Sequence, residues 1–181
     1  MNRSSELRIR RATVADAGVL ASVHLNTVVV AYANLIPSDV PPLTEESLVR
    51  EWQAAFEDDS LQAFVAEDNG KPIGTVAVRA DPEIGGVGQL RRLYVLPHRW
   101  ARGIGTLLYD AALGALKEDG YPEAGLWVLE ENARARRFYE RRGWTLVPDT
   151  IVEWPDQRVS EVRYRLDLCG VLRPSHPERH S

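Results

Sequence analysis

Residues 89–105 of the 181-residue chain read QLRRLYVLPHRWARGIG, and this stretch decides the fold. The run from Gln89 to Leu96 has the aromatic and β-branched content of a strand, and Pro97 ends it because proline cannot extend a hydrogen-bonded ladder. From Gly103 to about Glu118 the apolar residues recur at helical spacing. The stretch is therefore predicted to be a strand that turns tightly into a helix.

The turn itself has the composition of an anion site. The start of a helix leaves several backbone N–H groups without partners and carries a partial positive charge. Gly103 and Gly105 lack the side chains that would keep a phosphate away from those groups. Arg99 and Arg102 add positive charge, so a pyrophosphate is the predicted ligand.

Other interpretations of the turn remain. A Gly-x-Gly at this place is often only a tight turn. The dinucleotide-binding fingerprint requires a third glycine where Leu108 stands, and the Gly-Lys-Ser/Thr of a Walker loop is absent. Binding of ATP or GTP is disfavoured because no magnesium-ligand motif accompanies the loop.

Outward from this stretch, the pattern predicts alternating groups of strands and helices. Strands are expected over Leu7–Arg11, Leu61–Ala66, Ile73–Arg79, Gln89–Leu96, Leu126–Leu129, Trp144–Val147 and Val159–Leu168. Helices are expected after Thr13 and Thr44, from Gly103 to about Glu118, and from Asn132 towards Gly143.

The connections indicate how these strands pair. Asn69-Gly70 is a strong hairpin signal, which favours antiparallel neighbours. The strand, helix and strand between Gln89 and Leu129 favour one parallel pair with a right-handed crossover. The predicted fold class is α+β, with a mixed, mostly antiparallel sheet flanked by helices. We expect one domain over residues 1–168 and a flexible tail over residues 169–181.

Composition narrows the class of protein. Apolar residues make up 44% and charged residues 27%, as in ordinary globular domains. The 22 basic residues are outnumbered by 26 acidic ones, and the net charge of −4 disfavours nucleic acid as a partner. A single cysteine, Cys169, cannot form an internal disulfide or a cysteine-based zinc site.

The sequence also predicts the cellular compartment of the protein. The first dozen residues lack the apolar core of a signal peptide, and the apolar stretch from Val19 to Ile36 is interrupted by polar residues. We therefore expect a cytoplasmic protein with no membrane partner.

Two further segments complete the pattern. The short strand Leu126–Leu129 is followed, at 132–144, by the sequence NARARRFYERRGW. Together with the strand, Pro97 and Arg-Gly-Ile-Gly, they resemble the GNAT superfamily of acetyl-CoA-dependent N-acetyltransferases. The resemblance covers about Leu7 to Leu168 in element order and is most specific from Leu90 to Trp144. It implies that the parallel strands splay apart, that acetyl-CoA is the co-substrate, that no metal is needed and that an amine is the acceptor.

The resemblance also implies residues that contact CoA. The expected pyrophosphate loop comprises Ala101, Arg102, Gly103, Ile104, Gly105 and Thr106. The expected strand contacts to the pantetheine arm come from the backbone of Leu93, Tyr94 and Val95, and a backbone amide there would also stabilise the oxyanion. Asn132 matches an asparagine that contacts the CoA arm, although it also has the position of a helix N-cap. Trp100 departs from the Gln or Arg that usually begins this loop.

The resemblance implies a general acid but does not identify a general base. Tyr139 matches the tyrosine that protonates the departing thiolate, and its alternative role is aromatic packing beside Phe138. Two positions where family members carry a general base are occupied by Gln89 and Trp127. Glu130, Glu131 and His24 are other candidates, and none is assigned.

The expected function follows from these residues. It is transfer of an acetyl group from acetyl-CoA to a primary amine, of a small molecule or a protein or peptide, by direct attack. A non-catalytic acyl-CoA-binding module is the alternative, because carboxylates are missing at positions 89 and 127. Tyr32 and Trp154 are expected near the acceptor, whereas the spacing of Trp52 favours the core. Family analogy alone suggests a homodimer.

Overall fold

The computed structural model describes residues 6–154 and 158–169 and contains a seven-stranded sheet in the order β1-β2-β3-β4-β5-β7-β6. The strands are β1 Leu7–Arg11, β2 Gln62–Asp68, β3 Lys71–Ala80, β4 Val87–Val95, β5 Glu123–Leu129, β6 Thr145–Trp154 and β7 Val159–Asp167. The helices are α1 Ala17–Ala31, α2 Glu45–Ala55, α3 Ile104–Glu118 and α4 Ala133–Glu140. The predicted element order is confirmed. Residues 170–181 of the expected tail lie outside the described residues.

Local sequence signals explain where elements begin and turn. Thr44 caps α2, since its side chain accepts a hydrogen bond from the backbone amide of Ser47. Asn69 and Gly70 both have positive φ, 51° and 75°, and join β2 to β3 as the sequence predicts. These short-range interactions fix where α2 begins and where β2 turns into β3.

The sheet is mixed, as predicted, and its parallel pair is short. β4 pairs in parallel with β5 only between Val87–Gln89 and Glu123–Gly125, while every other strand pair is antiparallel. Beyond residue 89, β4 stays paired with β3 and β5 stays paired with β7. A gap therefore opens between β4 and β5 towards the start of α3.

A β-bulge lies in β4 beside this gap. Thr75 pairs with Tyr94 and Ala77 with Arg91, so Val76 opposes two residues, one of which is Arg92. Arg92 has φ 52°, in the left-handed region. The bulge bends β4 at the point where it parts from β5.

The core has two layers, one on each face of the sheet. Leu108 and Leu116 of α3 pack on one face, and Leu20 of α1 with Leu48 and Trp52 of α2 pack on the other. Trp52 is completely buried, which confirms the core position that its spacing favours.

The segment at 14–31 that contains α1 is long and apolar enough to cross a membrane by length and composition. Within the fold, α1 buries several apolar side chains, including Leu20, Ala21 and Val28. These buried side chains of α1 pack against the sheet and against α2.

One ion pair is buried between β7 and the loop after β3. Arg163 of β7 donates to the carboxylate of Asp81 over 2.9 Å, and the two side chains are 6% and 1% exposed. The other carboxylate oxygen accepts hydrogen bonds from the backbone amides of Glu83 and Ile84. The pair thereby ties the loop after β3 to β7.

β6 is longer than the predicted strand at Trp144–Val147. Its pairing with β7 is interrupted between Leu146 and Ile151, where Asp149 has φ 56° and the Thr150 hydroxyl donates to Val147 O. Pro148 and Asp149 resemble a strand end in sequence, but the strand resumes after this irregularity and pairs again as far as Trp154.

Candidate active site

The loop before α3 presents a row of unpaired backbone amides. Ala101 and Gly103 have left-handed φ values of 59° and 80°, and α3 begins directly after Gly103. The first amides that find a backbone acceptor are those of Thr106 and Leu107, both donating to Gly103 O. Across residues 6–154 and 158–169, the amides of residues 101–105 have no backbone or side-chain acceptor. Such a turn at a helix start is suited to bind an anion.

The two glycines of this loop have different structural roles. Gly103 needs its positive φ, and a Cβ there would project into open space. A Cβ at Gly105 would make ordinary contacts, 3.8 Å from Val95 Cγ2 and 3.9 Å from Phe138 Cε2. Gly103 is thus the position where a side chain would both strain the turn and enter the space beside it.

Trp100, the residue that departs from the family pattern, connects the loop to the end of β4. Its indole N–H donates to Val95 O over 2.6 Å, and the Arg134 guanidinium lies 3.7 Å from its ring centre. Arg99, expected to add positive charge to the loop, instead forms an ion pair with Asp68 at 2.7 Å. Arg102 remains exposed beside the loop.

A second arginine, Arg142, lies near the loop. Arg142 donates to the Thr106 hydroxyl over 2.7 Å and to Phe138 O over 3.0 Å. Its guanidinium lies 3.7 Å from the centre of the Phe138 ring. Most residues of the arginine-rich run around α4 have the pattern of a solvated face, but Arg142 brings its charge to the first turn of α3. The four-residue spacing from Phe138 was the available signal.

The end of β4 exposes backbone groups to the gap. The Leu96 amide donates to Ile73 O, and the alternation of an antiparallel ladder then places Tyr94 in a hydrogen-bonded pair with Thr75. The backbone groups of Leu93 and the Val95 amide consequently face away from β3, towards the gap, whereas Val95 O accepts the hydrogen bond from the Trp100 indole. The side chain of Tyr94 instead lies on the face covered by α1.

Tyr139 is held in an aromatic cluster. Its ring packs edge-on against Phe138 and Trp144 at centre distances of 5.3 and 5.8 Å. Burial raises the pKa of its phenol, and nearby Tyr32 raises that pKa further. The phenol is therefore protonated at neutral pH. Within the described part of the chain, no side chain accepts a hydrogen bond from this hydroxyl.

Asn132 caps α4, as one of its two predicted roles requires. Its side-chain oxygen accepts a hydrogen bond from the Ala135 amide over 3.1 Å. The amide NH₂ of the same side chain is not used by this cap, so the predicted contact to the CoA arm stays compatible with it.

The candidates for a general base lie in different environments. Gln89 is buried and accepts a hydrogen bond from Arg79 over 3.2 Å. Glu130 and Glu131 are exposed at the end of β5. His24 is buried with its ring 4.2 Å from that of Tyr94, and among the described residues its Nδ1 has no hydrogen-bond partner.

Residues from three elements come together beside the gap, where the acceptor is expected. The phenols of Tyr32, at the end of α1, and Tyr94 of β4 are close enough for each to change the pKa of the other. On β7, Glu161 accepts a hydrogen bond from the Trp154 indole over 3.1 Å and is close enough to raise the pKa of Tyr32. Tyr32 and Trp154 are thus both close to Glu161, whereas Trp52 belongs to the core.

Burial of His24 predicts a pH dependence of stability. Desolvation, with a smaller effect from Arg92, lowers the pKa of His24 to about 4, against about 6.5 in an unfolded chain. Between these values the unfolded state binds more protons, so stability falls as the pH drops from 6.5 to 4. The contribution of His24 to this loss is at most about 3 kcal/mol. His24→Phe keeps a ring against Tyr94 and should flatten the curve, as measured by urea unfolding at several pH values. Parallel wild-type and variant curves would contradict this prediction.

Comparison with known proteins gives the family. The sequence model of the Acetyltransferase (GNAT) family matches residues 17–144. An uncharacterized N-acetyltransferase of Methanocaldococcus jannaschii is 36% identical over 97 residues, which is 51% of this chain and 42% of that protein. One of Bacillus subtilis is 28% identical over 159 residues, covering 85% of this chain and 89% of the relative. Alignments with four of the curated relatives span only 33% to 61% of their lengths.

A solved structure supports the fold assignment. The PaiA N-acetyltransferase of Thermoplasma acidophilum, in complex with coenzyme A, superimposes with a TM-score of 0.69 at 21% identity, over 87% of this chain and 98% of that one. The seven-stranded mixed sheet, its short parallel pair and the flanking helices are therefore those of an acyl-CoA N-acyltransferase fold. With the family match over most of its length, the chain belongs to the GNAT acetyltransferase family.

Proposed function

We propose that this chain is an N-acetyltransferase that moves an acetyl group from acetyl-CoA to a primary amine by direct attack within a ternary complex. The observation that carries the proposal is the row of unpaired amides at 101–105, placed beside the gap between β4 and β5. A helix start with free amides suits a pyrophosphate, and a strand edge with free backbone groups suits an amide-containing arm. One ligand that carries both groups is acyl-CoA.

The residues around the gap have separable roles in binding. Residues 101–105 hold the pyrophosphate through backbone amides, with Arg102 and Arg142 supplying positive charge. Backbone groups of Leu93 and the Val95 amide pair with the pantetheine arm. The NH₂ group of Asn132 is free to contact the same arm while its oxygen caps α4.

The chemical step requires three events. The amine nitrogen attacks the thioester carbonyl carbon, and a backbone amide at the end of β4 stabilises the resulting oxyanion. The intermediate then collapses, the carbon–sulfur bond breaks, and Tyr139 donates its phenolic proton to the departing thiolate. The N-protonated amide product releases its extra proton to water, and the Tyr139 phenolate takes up a proton from water, so that the enzyme is restored and CoA leaves as the thiol. Cys169 is exposed after the end of β7, so a covalent acyl-cysteine intermediate has no support from its position.

No side chain is assigned as the general base that removes a proton from the incoming amine. Positions 89 and 127 carry Gln89 and Trp127 instead of carboxylates, and the depressed pKa of His24 makes its imidazole a weak base. We therefore assign proton removal to water in the gap. Activity should rise with pH until the acceptor is a free amine.

Substitution of Gly103 tests the phosphate site. Gly103→Val forces a β-branched residue into φ near 80° and fills the space beside the free amides, so the Kd for acetyl-CoA should rise at least tenfold. Calorimetric titration measures this change. Gly105→Ala is the matched control, because its Cβ makes ordinary contacts and alanine suits a helix, so its Kd should stay within about threefold of wild type.

A release assay then separates the proposed activity from its alternative. Wild-type protein is incubated with acetyl-CoA and a panel of primary amines, and free CoA thiol is measured. Amine-dependent CoA release supports an enzyme. Tight acetyl-CoA binding without release from any amine would instead indicate a non-catalytic acyl-CoA-binding module. Stronger thermal stabilisation by ATP with magnesium than by acetyl-CoA would overturn the assignment of the loop.

A further inference from the structure

Three arginines converge on the acceptor side of the sheet. Gln89 pairs with Arg79 and Arg91 pairs with Ala77, and cross-strand partners share a face. Ala77 packs in the core layer under α1 and α2, so Arg79 and Arg91 lie on that face. Arg92 lies there too, with its guanidinium 4.5 Å from the centre of the Trp52 ring.

These arginines are poorly neutralised by the protein. The Arg79–Asp58 and Arg92–Glu51 ion pairs are both long, at 3.7 Å. Arg91 is half-buried, and over the described residues it has neither an ion pair within 4.0 Å nor a hydrogen bond. A buried nitrogen of Arg92, Nη1, also has no hydrogen-bond partner. Burial without a close counter-ion is costly, and such sites usually serve a ligand.

The surroundings of Arg91 disfavour its charged form. Desolvation, followed by the neighbouring charges of Arg79 and Arg92, lowers the pKa of Arg91 to about 10. Tyr94 and Glu161 act in the opposite direction, but more weakly. An anion placed against Arg91 would relieve this destabilisation, whereas a second cation would increase it.

The cluster adjoins the proposed reaction centre. Arg91 and Arg92 both lie close enough to Tyr94 to interact with it electrostatically, and Tyr94 interacts in the same way with Tyr32. Tyr32 in turn lies close enough to Tyr139 to affect its pKa. A small acceptor whose amine reaches the thioester near Tyr139 can therefore present its other end to Arg91.

We infer that the acceptor is an amine that also carries a carboxylate, and that Arg91 and Arg92 bind this carboxylate. The inference rests on the proposed acetyl transfer and names its substrate class. A guanidinium binds a carboxylate through two parallel N–H···O bonds, so the site would select aminocarboxylates, such as amino acids, over neutral amines and polyamines. The unpaired Arg92 Nη1 supplies an additional donor.

Matched amines test the inference. The acceptors are alanine, glutamate and lysine, each compared with its carboxamide, which lacks the free α-carboxylate but keeps the amine. An aminoalkyl phosphate and a polyamine complete the panel. Wild-type protein should show at least tenfold higher kcat/KM for the amino acids than for their amides. Higher kcat/KM for the aminoalkyl phosphate or the polyamine would overturn the inference.

A substitution assigns the preference to Arg91. Arg91→Gln should raise KM for the amino acids at least tenfold, leave KM for the amides nearly unchanged, and leave the Kd for acetyl-CoA unchanged. Its unfolding temperature should not fall, because the replaced charge has no close partner in the protein. Arg50→Gln is the control, since Arg50 lies on α2 with its side chain 64% exposed. A KM increase that is equal for acids and amides would contradict carboxylate binding.

A second readout is independent of turnover. Thermal stabilisation of the CoA-loaded protein is compared for N-acetylated amino acids and the corresponding N-acetylated amides. A larger shift for the acids in the wild type, lost in Arg91→Gln, supports the inference. Equal shifts, or no shift for either, overturn it. Failure of acetyl-CoA itself to bind would instead reject the proposed function.

Discussion

Changing Tyr139 to phenylalanine is expected to lower kcat for acetyl transfer by about 10²- to 10³-fold, the usual size of a general-acid contribution. The affinity for acetyl-CoA should change little, because the phenol is proposed to act on the departing thiolate and not on the bound thioester. Removal of one oxygen also preserves the ring and its contacts with Phe138 and Trp144. Single-turnover release of CoA and calorimetric titration measure the two quantities separately.

The raised pKa of Tyr139 determines how the rate of acetyl transfer is expected to depend on pH. Because the phenol of Tyr139 stays protonated well above neutral pH, the wild-type rate should not fall between pH 7 and 10 through ionisation of this group. The rate should instead rise with deprotonation of the acceptor amine. The variant should follow the same profile at a lower level.

Tyr109→Phe is the control for Tyr139→Phe. Tyr109 belongs to the same aromatic cluster, and its hydroxyl accepts a hydrogen bond from the Trp144 indole over 2.9 Å. Removal of this hydroxyl should lower the free energy of unfolding by about 1 kcal/mol and leave kcat within a few-fold of the wild-type value. If Tyr139→Phe keeps kcat within a few-fold of wild type, the aromatic-packing role becomes the correct one.

The largest effect on stability is expected for Asp81→Ala. The Asp81 carboxylate neutralises Arg163 and accepts hydrogen bonds from the amides of Glu83 and Ile84. The alanine variant leaves the Arg163 charge buried and unpaired. The free energy of unfolding should therefore fall by about 3–5 kcal/mol. Urea unfolding followed by circular dichroism measures the change.

Two further variants decide whether the charge is responsible. Asp39→Ala removes the partner of Arg158 in an exposed ion pair, with Asp39 73% exposed, and should cost less than about 1 kcal/mol. Adding Arg163→Met to Asp81→Ala removes the unpaired charge and should restore part of the lost stability. If Asp81→Ala changes stability by no more than Asp39→Ala, the buried pair has no net stabilising role.

Local chemistry made much of the fold predictable. β1 begins and ends at the predicted residues, Thr44 caps the predicted helix, and Asn69-Gly70 forms the predicted hairpin turn. Each of these features depends on residues that are neighbours in sequence. The turn before α3 is equally local, since a strand, a tight turn and a helix start follow one another within seventeen residues.

The parts that sequence reasoning missed depend on long-range contacts. Arg99 seemed available to the loop, but its partner Asp68 is 31 positions away. Arg142 reaches Thr106 on another helix, 36 positions away along the chain. The isolation of Arg91 is also a property of the folded sheet, because no sequence pattern reports that a charge lacks a partner.

The bulge in β4 has a consequence for how this strand divides its side chains. Leu90 and Leu93 both pack in the layer beneath α3, although residues three apart in a regular strand have opposite parity. The extra residue resets that parity, so Arg91 and Arg92 are consecutive and yet emerge on the same side of the sheet. The core-facing sequence thus continues in correct phase, and the inserted residue adds a second guanidinium to the face of the sheet that lies under α1 and α2.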